Sequence, residues 1–187
     1  MNRAVFLDRD GVLNRAVIRD GKPYPPATLA EFELLPGVPL ALERLARAGF
    51  ELIVVTNQPD VAKGVQRREV VEAFHDSLRA SLPIDDIRVC YHLDEHNCAC
   101  RKPKPGMLLD AALGRNVSLG RSFMVGDRWR DVAAGRNAGC RTLLIASGYR
   151  ERPAARPDWV VGSLLEASGI ICARAHAEEA GHAQRRP

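Results

Sequence analysis

Two aspartates stand two residues apart in Phe6-Leu7-Asp8-Arg9-Asp10-Gly11-Val12-Leu13-Asn14, directly after a short apolar run. In extended backbone that spacing puts both side chains on one side of the chain. Carboxylates so paired can hold a cation, attack as nucleophiles or exchange protons. Asp-x-Asp-Gly also occurs in plain turns and in calcium loops. The calcium loop fails here, because its glycine belongs at the sixth position and a glutamate at the twelfth.

Three later segments add complementary groups. Val54-Val55-Thr56-Asn57-Gln58 ends a second apolar run in a hydroxyl and an amide, which can hold phosphate oxygens. Arg101-Lys102-Pro103-Lys104-Pro105-Gly106 presents a basic pair just before a helical stretch, whose N-terminal dipole also favours anions. Its prolines stiffen the backbone and limit where Lys102 can point. Val125-Gly126-Asp127-Arg128-Trp129-Arg130-Asp131 supplies a second acidic centre past another apolar run, with Gly126 permitting close backbone approach. Of the five cysteines, Cys90, Cys98 and Cys100 crowd together with His92 and His96, which in a reducing compartment favours metal over disulfide. Cys140 and Cys172 stand alone.

The elements that must position these groups alternate along the chain. Short apolar runs rich in β-branched and aromatic residues read as strands at Ala4–Leu7, Glu51–Thr56, Ile87–Tyr91, Ser122–Val125, Arg141–Ile145 and Trp159–Val161. Helical periodicity lies between them, at Gly37–Ala48, Arg68–Ser81, Pro105–Arg115 and Trp129–Ala138. The alternation predicts an α/β fold, a Rossmann-like parallel sheet with helices on both faces. Loops leaving the C-terminal ends of its strands then gather along one edge, where ligands bind. The four segments converge on that edge.

Composition sets the frame. With 187 residues, 46% hydrophobic and 27% charged, the chain has enough length for one sizeable core and too regular a composition for disorder. A single domain is expected over residues 1–171. The Ala-, His-, Glu- and Arg-rich stretch 172–187 lacks a clear apolar face and is expected to be a frayed helix or disordered tail. No apolar run approaches the length of a membrane span, and the first residues lack the apolar core of a signal peptide, so a cytoplasmic location without membrane contact is expected. The net charge of +4 suits anionic small molecules, and no aromatic-basic groove motif points to nucleic acid. The protein is expected to act as a monomer.

Together these residues resemble the haloacid dehalogenase (HAD) superfamily, whose four motifs match Asp8-x-Asp10, Thr56, Lys102 and Asp127 with Asp131. The resemblance runs from about Val5 to Tyr149. Within the superfamily, Phe-Leu-Asp-Arg-Asp-Gly-Val-Leu-Asn, Val-Val-Thr-Asn-Gln, the Cys-x-His and Cys-x-Cys pairs and Arg-Lys-Pro-Lys-Pro-Gly-Met are similar to the D-glycero-D-manno-heptose-1,7-bisphosphate 7-phosphatases. The histidinol-phosphate phosphatases are similar too. Two departures stand out: Pro59-Asp60 occupies the place of the usual Ser-Gly, and Cys90-Tyr91-His92 replaces Cys-Pro-His.

The resemblance implies a magnesium-dependent phosphomonoester hydrolase. Asp8, the backbone carbonyl of Asp10 and Asp127 would be Mg2+ ligands, with the Arg128 carbonyl nearby. Asp8 would form an aspartyl phosphate, while Asp10 would protonate the leaving oxygen and then activate water. Thr56 and Lys102 would neutralise the transferring phosphoryl group, Asn57 and Arg101 would bind substrate phosphate, and Asp131 would orient Lys102 or a metal-bound water. Cys90, His92, Cys98 and Cys100 supply four nitrogen and sulfur ligands, matching a closed tetrahedral zinc site that is structural rather than catalytic. His96 is the competitor to His92.

The intervals between motifs are too short for a separate cap domain, so the fold implied is a capless HAD fold with a zinc-binding loop. An open site bounded by loops such as Arg15–Pro26 suits a small phosphorylated substrate that brings its own charges, such as a sugar bisphosphate. Alternatives in the same chemistry are histidinol phosphate or another small sugar phosphate. In a different class stands a catalytically silent zinc-containing binding protein, against which the intact set Asp8, Asp10 and Asp127 argues.

Overall fold

The structure, a computed structural model, describes residues 1–149 and 156–183. In chain order the elements are β1 (Arg3–Leu7), a hairpin of β2 (Val17–Arg19) and β3 (Lys22–Tyr24), α1 (Val38–Arg47), β4 (Phe50–Asn57) and the short α2 (Pro59–Ala62). There follow α3 (Arg68–Ser81), β5 (Asp86–Cys90), α4 (Gly106–Gly114), β6 (Phe123–Gly126), α5 (Trp129–Ala138), β7 (Arg141–Ile145), β8 (Trp159–Val161) and α6 (Leu164–Ala183).

Six strands make one parallel sheet in the order β5-β4-β1-β6-β7-β8. Alternation along each strand feeds two cores. Val5, Leu7, Leu52, Val54 and Val125 face α1 and α6, whereas Ala4, Phe6, Ile53, Val55 and Met124 face α4 and α5. Burial on both faces explains why the strands read as continuous apolar runs. Each fully buried Leu or Ile contributes about 2 kcal/mol, so the strand ends that carry the polar motifs are held from both sides.

The chain leaves β1 toward β4 on one side of the sheet and leaves β6 toward β7 on the other. The crevice of such a sheet opens between the two strands where the connections diverge. Asp8 follows β1 and Asp127 follows β6, so both acidic motifs stand on that crevice.

One expectation is corrected and another narrowed. The stretch 15–26 is not a plain loop: Val17, Ile18 and Arg19 pair antiparallel with Tyr24, Pro23 and Lys22. Of the two readings of the C-terminal stretch, a frayed helix or a disordered tail, the described part is helix, since α6 continues to Ala183. Its small residues Ala167 and Ala175 are buried against the sheet, and Glu179 pairs with Arg3 at 2.8 Å while Glu178 pairs with Arg141. Small buried side chains allow close packing without producing an apolar stripe, which is why periodicity missed it. Residues 184–187 lie outside those described. Among the described residues no helix is long and apolar enough to cross a membrane.

Candidate active site

Asp8 leaves β1 with its backbone N–H donating to Val125 O at 3.0 Å, which keeps it in register with β6 for one residue past the sheet. The chain then turns: the amides of Val12, Leu13 and Asn14 all donate to the Arg9 carbonyl. Gly11 takes φ of 88°, and a Cβ there would fall 1.8 Å from Asp127 Oδ2. Only glycine lets the first acidic loop close onto the second.

Lys102 is the buried cation beside Asp8, 2% exposed. Its ammonium donates to Asp8 Oδ1 at 2.8 Å and to Val55 O at 2.7 Å, and lies 2.6 Å from Asp131 Oδ1. The second Asp131 oxygen accepts from the Arg128 N–H at 3.0 Å, so Asp131 caps α5 and pairs with Lys102 at once. Asn57 fixes the backbone that carries the ammonium: its amide donates to Lys102 O at 3.1 Å and accepts from Lys102 N at 3.2 Å. The resemblance implies a role for Asn57 on substrate; Asn57 lines the cavity and also holds the main chain of Lys102.

Carboxylate oxygens of Asp8, Asp127 and Asp131 all lie within 4.8 Å of one another. Both Asp127 oxygens are buried without a hydrogen bond of normal geometry, although the Tyr149 hydroxyl lies beside them. Burial, followed by the charges of Asp8 and Asp131, drives the Asp127 carboxyl well above its ordinary range. Burial also pushes Asp8 up to about 6 against the opposing pull of Lys102. Three buried carboxylates facing one ammonium leave negative charge uncompensated, and oxygen donors so arranged fit a hard dication.

Asp10 is held differently. Its oxygens accept from Arg9 Nη2 at 2.8 Å and 3.1 Å, from Asn14 Nδ2 at 3.0 Å and from Gln58 Nε2 at 2.8 Å. The same Gln58 amide donates to Thr56 Oγ1 at 2.9 Å. Asp8, Asp10, Thr56, Asn57, Lys102 and Asp131 line one cavity of about 250 Å³. Its outer wall adds Arg101, Arg128, Arg130, Lys63 and the aromatic Tyr24 of the hairpin. The extra charge at Asp60 is answered locally, by Lys63 Nζ at 2.9 Å.

The sulfur cluster stands next to this cavity. Cys100 Sγ lies 3.3 Å from Cys90 Sγ, from Cys98 Sγ and from His92 Nδ1, and Cys90 Sγ lies 3.7 Å from Cys98 Sγ and from His92 Nδ1. A tetrahedral zinc with bonds of about 2.3 Å to sulfur has edges of about 3.8 Å, so these donors are spaced for one ion. Burial pushes the Cys90 thiol up to about 12, which a metal must overcome to bind it as thiolate. His96 instead accepts from the Leu93 N–H at 3.1 Å and is exposed. Between the ligand pairs sits Asp94, which sequence reading passed over. It accepts from Arg101 Nε at 2.7 Å and from Arg130 Nη1 at 2.9 Å, tying two cavity cations to the Cys90–Cys100 loop, called the knuckle below, and these partners hold its carboxyl well below the usual range.

Comparison with known proteins agrees with this geometry. A HAD-hydrolase-like family model matches residues 99–167. The chain is 36% identical over 152 residues to a D-glycero-beta-D-manno-heptose-1,7-bisphosphate 7-phosphatase of Helicobacter pylori, covering 77% of this chain and 83% of the relative. It is 38% identical over 185 residues to the Pasteurella multocida protein of that name, covering 91% and 97%. The chain belongs to this family of HAD phosphatases. A solved heptose bisphosphate phosphatase from B. bronchiseptica, complexed with magnesium and phosphate, superposes on it with a TM-score of 0.75 at 30% identity, covering 92% of this chain and 99% of that one. The HAD phosphatase family accounts for the coincidence at one cavity of three strand ends and the segment that leads into α4.

Proposed function

We propose that the protein hydrolyses the 7-phosphate of D-glycero-D-manno-heptose 1,7-bisphosphate through a phosphoaspartate on Asp8. The observation that carries this reading is the Lys102 ammonium on Asp8 Oδ1, with the buried carboxylate of Asp127 within 4.8 Å of the Asp8 carboxylate. A carboxylate cannot approach an anionic phosphoryl group unless charge is neutralised on both sides. Lys102 supplies one side. On the other, Asp8, Asp127 and the Asp10 carbonyl would hold Mg2+, with the Arg128 carbonyl nearby; the ion supplies Lewis acidity and orients the phosphoryl oxygens.

Asp8 attacks phosphorus as the bond to the sugar oxygen breaks, and Asp10 delivers a proton to that oxygen. Asp10, now ionised, then takes a proton from the water that cleaves the acyl phosphate, restoring Asp8. Thr56 offers its hydroxyl to the phosphoryl oxygens, and Gln58 keeps Thr56 and Asp10 in one array. Asn57 and Asp131 aim Lys102. Arg101 and Arg130, braced by Asp94, bind the remote phosphate, whose interaction energy assists the reacting end. Cys90, His92, Cys98 and Cys100 would hold a structural zinc that fixes the backbone on which Arg101 and Lys102 stand.

The test is phosphate release with magnesium across both heptose bisphosphate anomers, histidinol phosphate and hexose phosphates. Preferred release from a heptose bisphosphate, abolished in Asp8→Asn, supports the reading. Equal release by Asp8→Asn removes the nucleophile, and preference for histidinol phosphate removes the substrate.

A further inference from the structure

Arg9 and His75 are fully buried, and the reaction scheme above uses neither. A buried guanidinium is costly unless its N–H groups are engaged. Here Nε and Nη2 fork onto the Asp10 carboxylate, with the shortest contact at 2.8 Å, while Nη1 lies 3.2 Å from His75 Nε2 and the Phe74 ring sits 5.3 Å below. Because arginine offers no acceptor, His75 Nε2 must present a lone pair. The imidazole proton is therefore on Nδ1, 3.2 Å from Glu72 Oε2. The other oxygen of Glu72 accepts from the Tyr91 hydroxyl at 2.5 Å, between two ligands of the knuckle. Burial and the Arg9 charge, with Arg79 adding to them, lower the His75 pKa against the pull of Glu72 and keep the ring neutral.

We propose that His75 is a positioning residue for the proton donor: its neutral ring fixes the rotation of the Arg9 guanidinium, and through it the Asp10 carboxylate. Glu72 and Tyr91 lock the ring from behind. Asn14 and Gln58 alone would leave Asp10 on two neutral amides, free to pivot. With Nη1 anchored on His75, the fork has one orientation. The inference rests on the reading of Asp10 as acid and base.

A purely structural His75 would affect every substrate alike, so the discriminating readout is the leaving group. An alkoxide leaving from a sugar phosphate needs the proton of Asp10, whereas 4-nitrophenolate does not. The ratio kcat/KM covers only the steps through transfer to Asp8, so later hydrolysis does not enter. His75→Gln is expected to lower kcat/KM for the heptose bisphosphate about tenfold or more while lowering that for 4-nitrophenyl phosphate less than about threefold. Glu72→Ala and Tyr91→Phe, at positions nearer the surface, should show the same selectivity to a smaller degree, and they carry the test if His75→Gln does not fold. Asp10→Asn is the reference. If it lowers both esters equally, the acid assignment falls and the proposal with it; if it is selective while the His75, Glu72 and Tyr91 variants are not, the proposal alone is overturned.

Discussion

Asn57 and Lys102 exchange two hydrogen bonds, side-chain amide to backbone O at 3.1 Å and backbone N to amide oxygen at 3.2 Å, across forty-five residues of sequence. The end of β4 thereby sets the register of the segment from which the buried ammonium projects. Asn57→Ala removes both bonds and is expected to cost about 1–2 kcal/mol of stability and to lower kcat by about tenfold or more. Denaturant unfolding and steady-state rates on the same preparation check both numbers.

The charge balance of the acidic cluster has a pH signature in metal-free protein. The Asp8 carboxyl, raised from 3.8 to about 6, favours the folded state when protonated. Its contribution is complete below about pH 4 and lost as pH rises through 6. In chelator at pH 7, Asp8→Asn should therefore unfold at a higher temperature than the unaltered protein, by the equivalent of about 3 kcal/mol at most, and the gap should close by pH 4. A gap that widens on acidification contradicts the assignment.

Cys100→Ser tests the knuckle. Cys100 touches each of the other three donors and precedes Arg101 directly. The substitution should abolish stoichiometric zinc, lower the thermal midpoint and reduce kcat/KM through misplaced cations, as read by metal analysis, calorimetry and kinetics. Unchanged kcat and KM in zinc-free protein would disconnect the knuckle from the site.

Asp94→Ala frees Arg101 and Arg130 from their brace. The expected outcome is a KM for the bisphosphate raised about tenfold with kcat little changed, and a smaller effect on a monophosphate that lacks the remote group. Initial rates with both substrates decide it.

The sheet and the places of its polar motifs were legible because each motif is local. A strand and the residues that follow it are adjacent in sequence, so Asp8, Thr56, Asp127 and the cysteine cluster could be placed from apolar runs and spacing. What stayed hidden is pairwise and distant. Arg9 meets His75 across sixty-six residues, and His75 reads from sequence as one more position on the inner face of α3. Arg130 meets Asp94 across thirty-six, in a loop whose composition marks only the cysteines and histidines. The hairpin β2–β3 is too short for an alternation signal, and beyond Ile171 α6 packs through Ala175, a residue that periodicity does not weigh.

The most direct test of the whole account is a single-turnover reaction with substrate labelled in its 7-phosphate, quenched in acid within milliseconds and digested for mass spectrometry. The account predicts transient label on the peptide carrying Asp8, rising before phosphate appears and absent in Asp8→Asn. Release of phosphate at full rate with no label on that peptide at any time would contradict it.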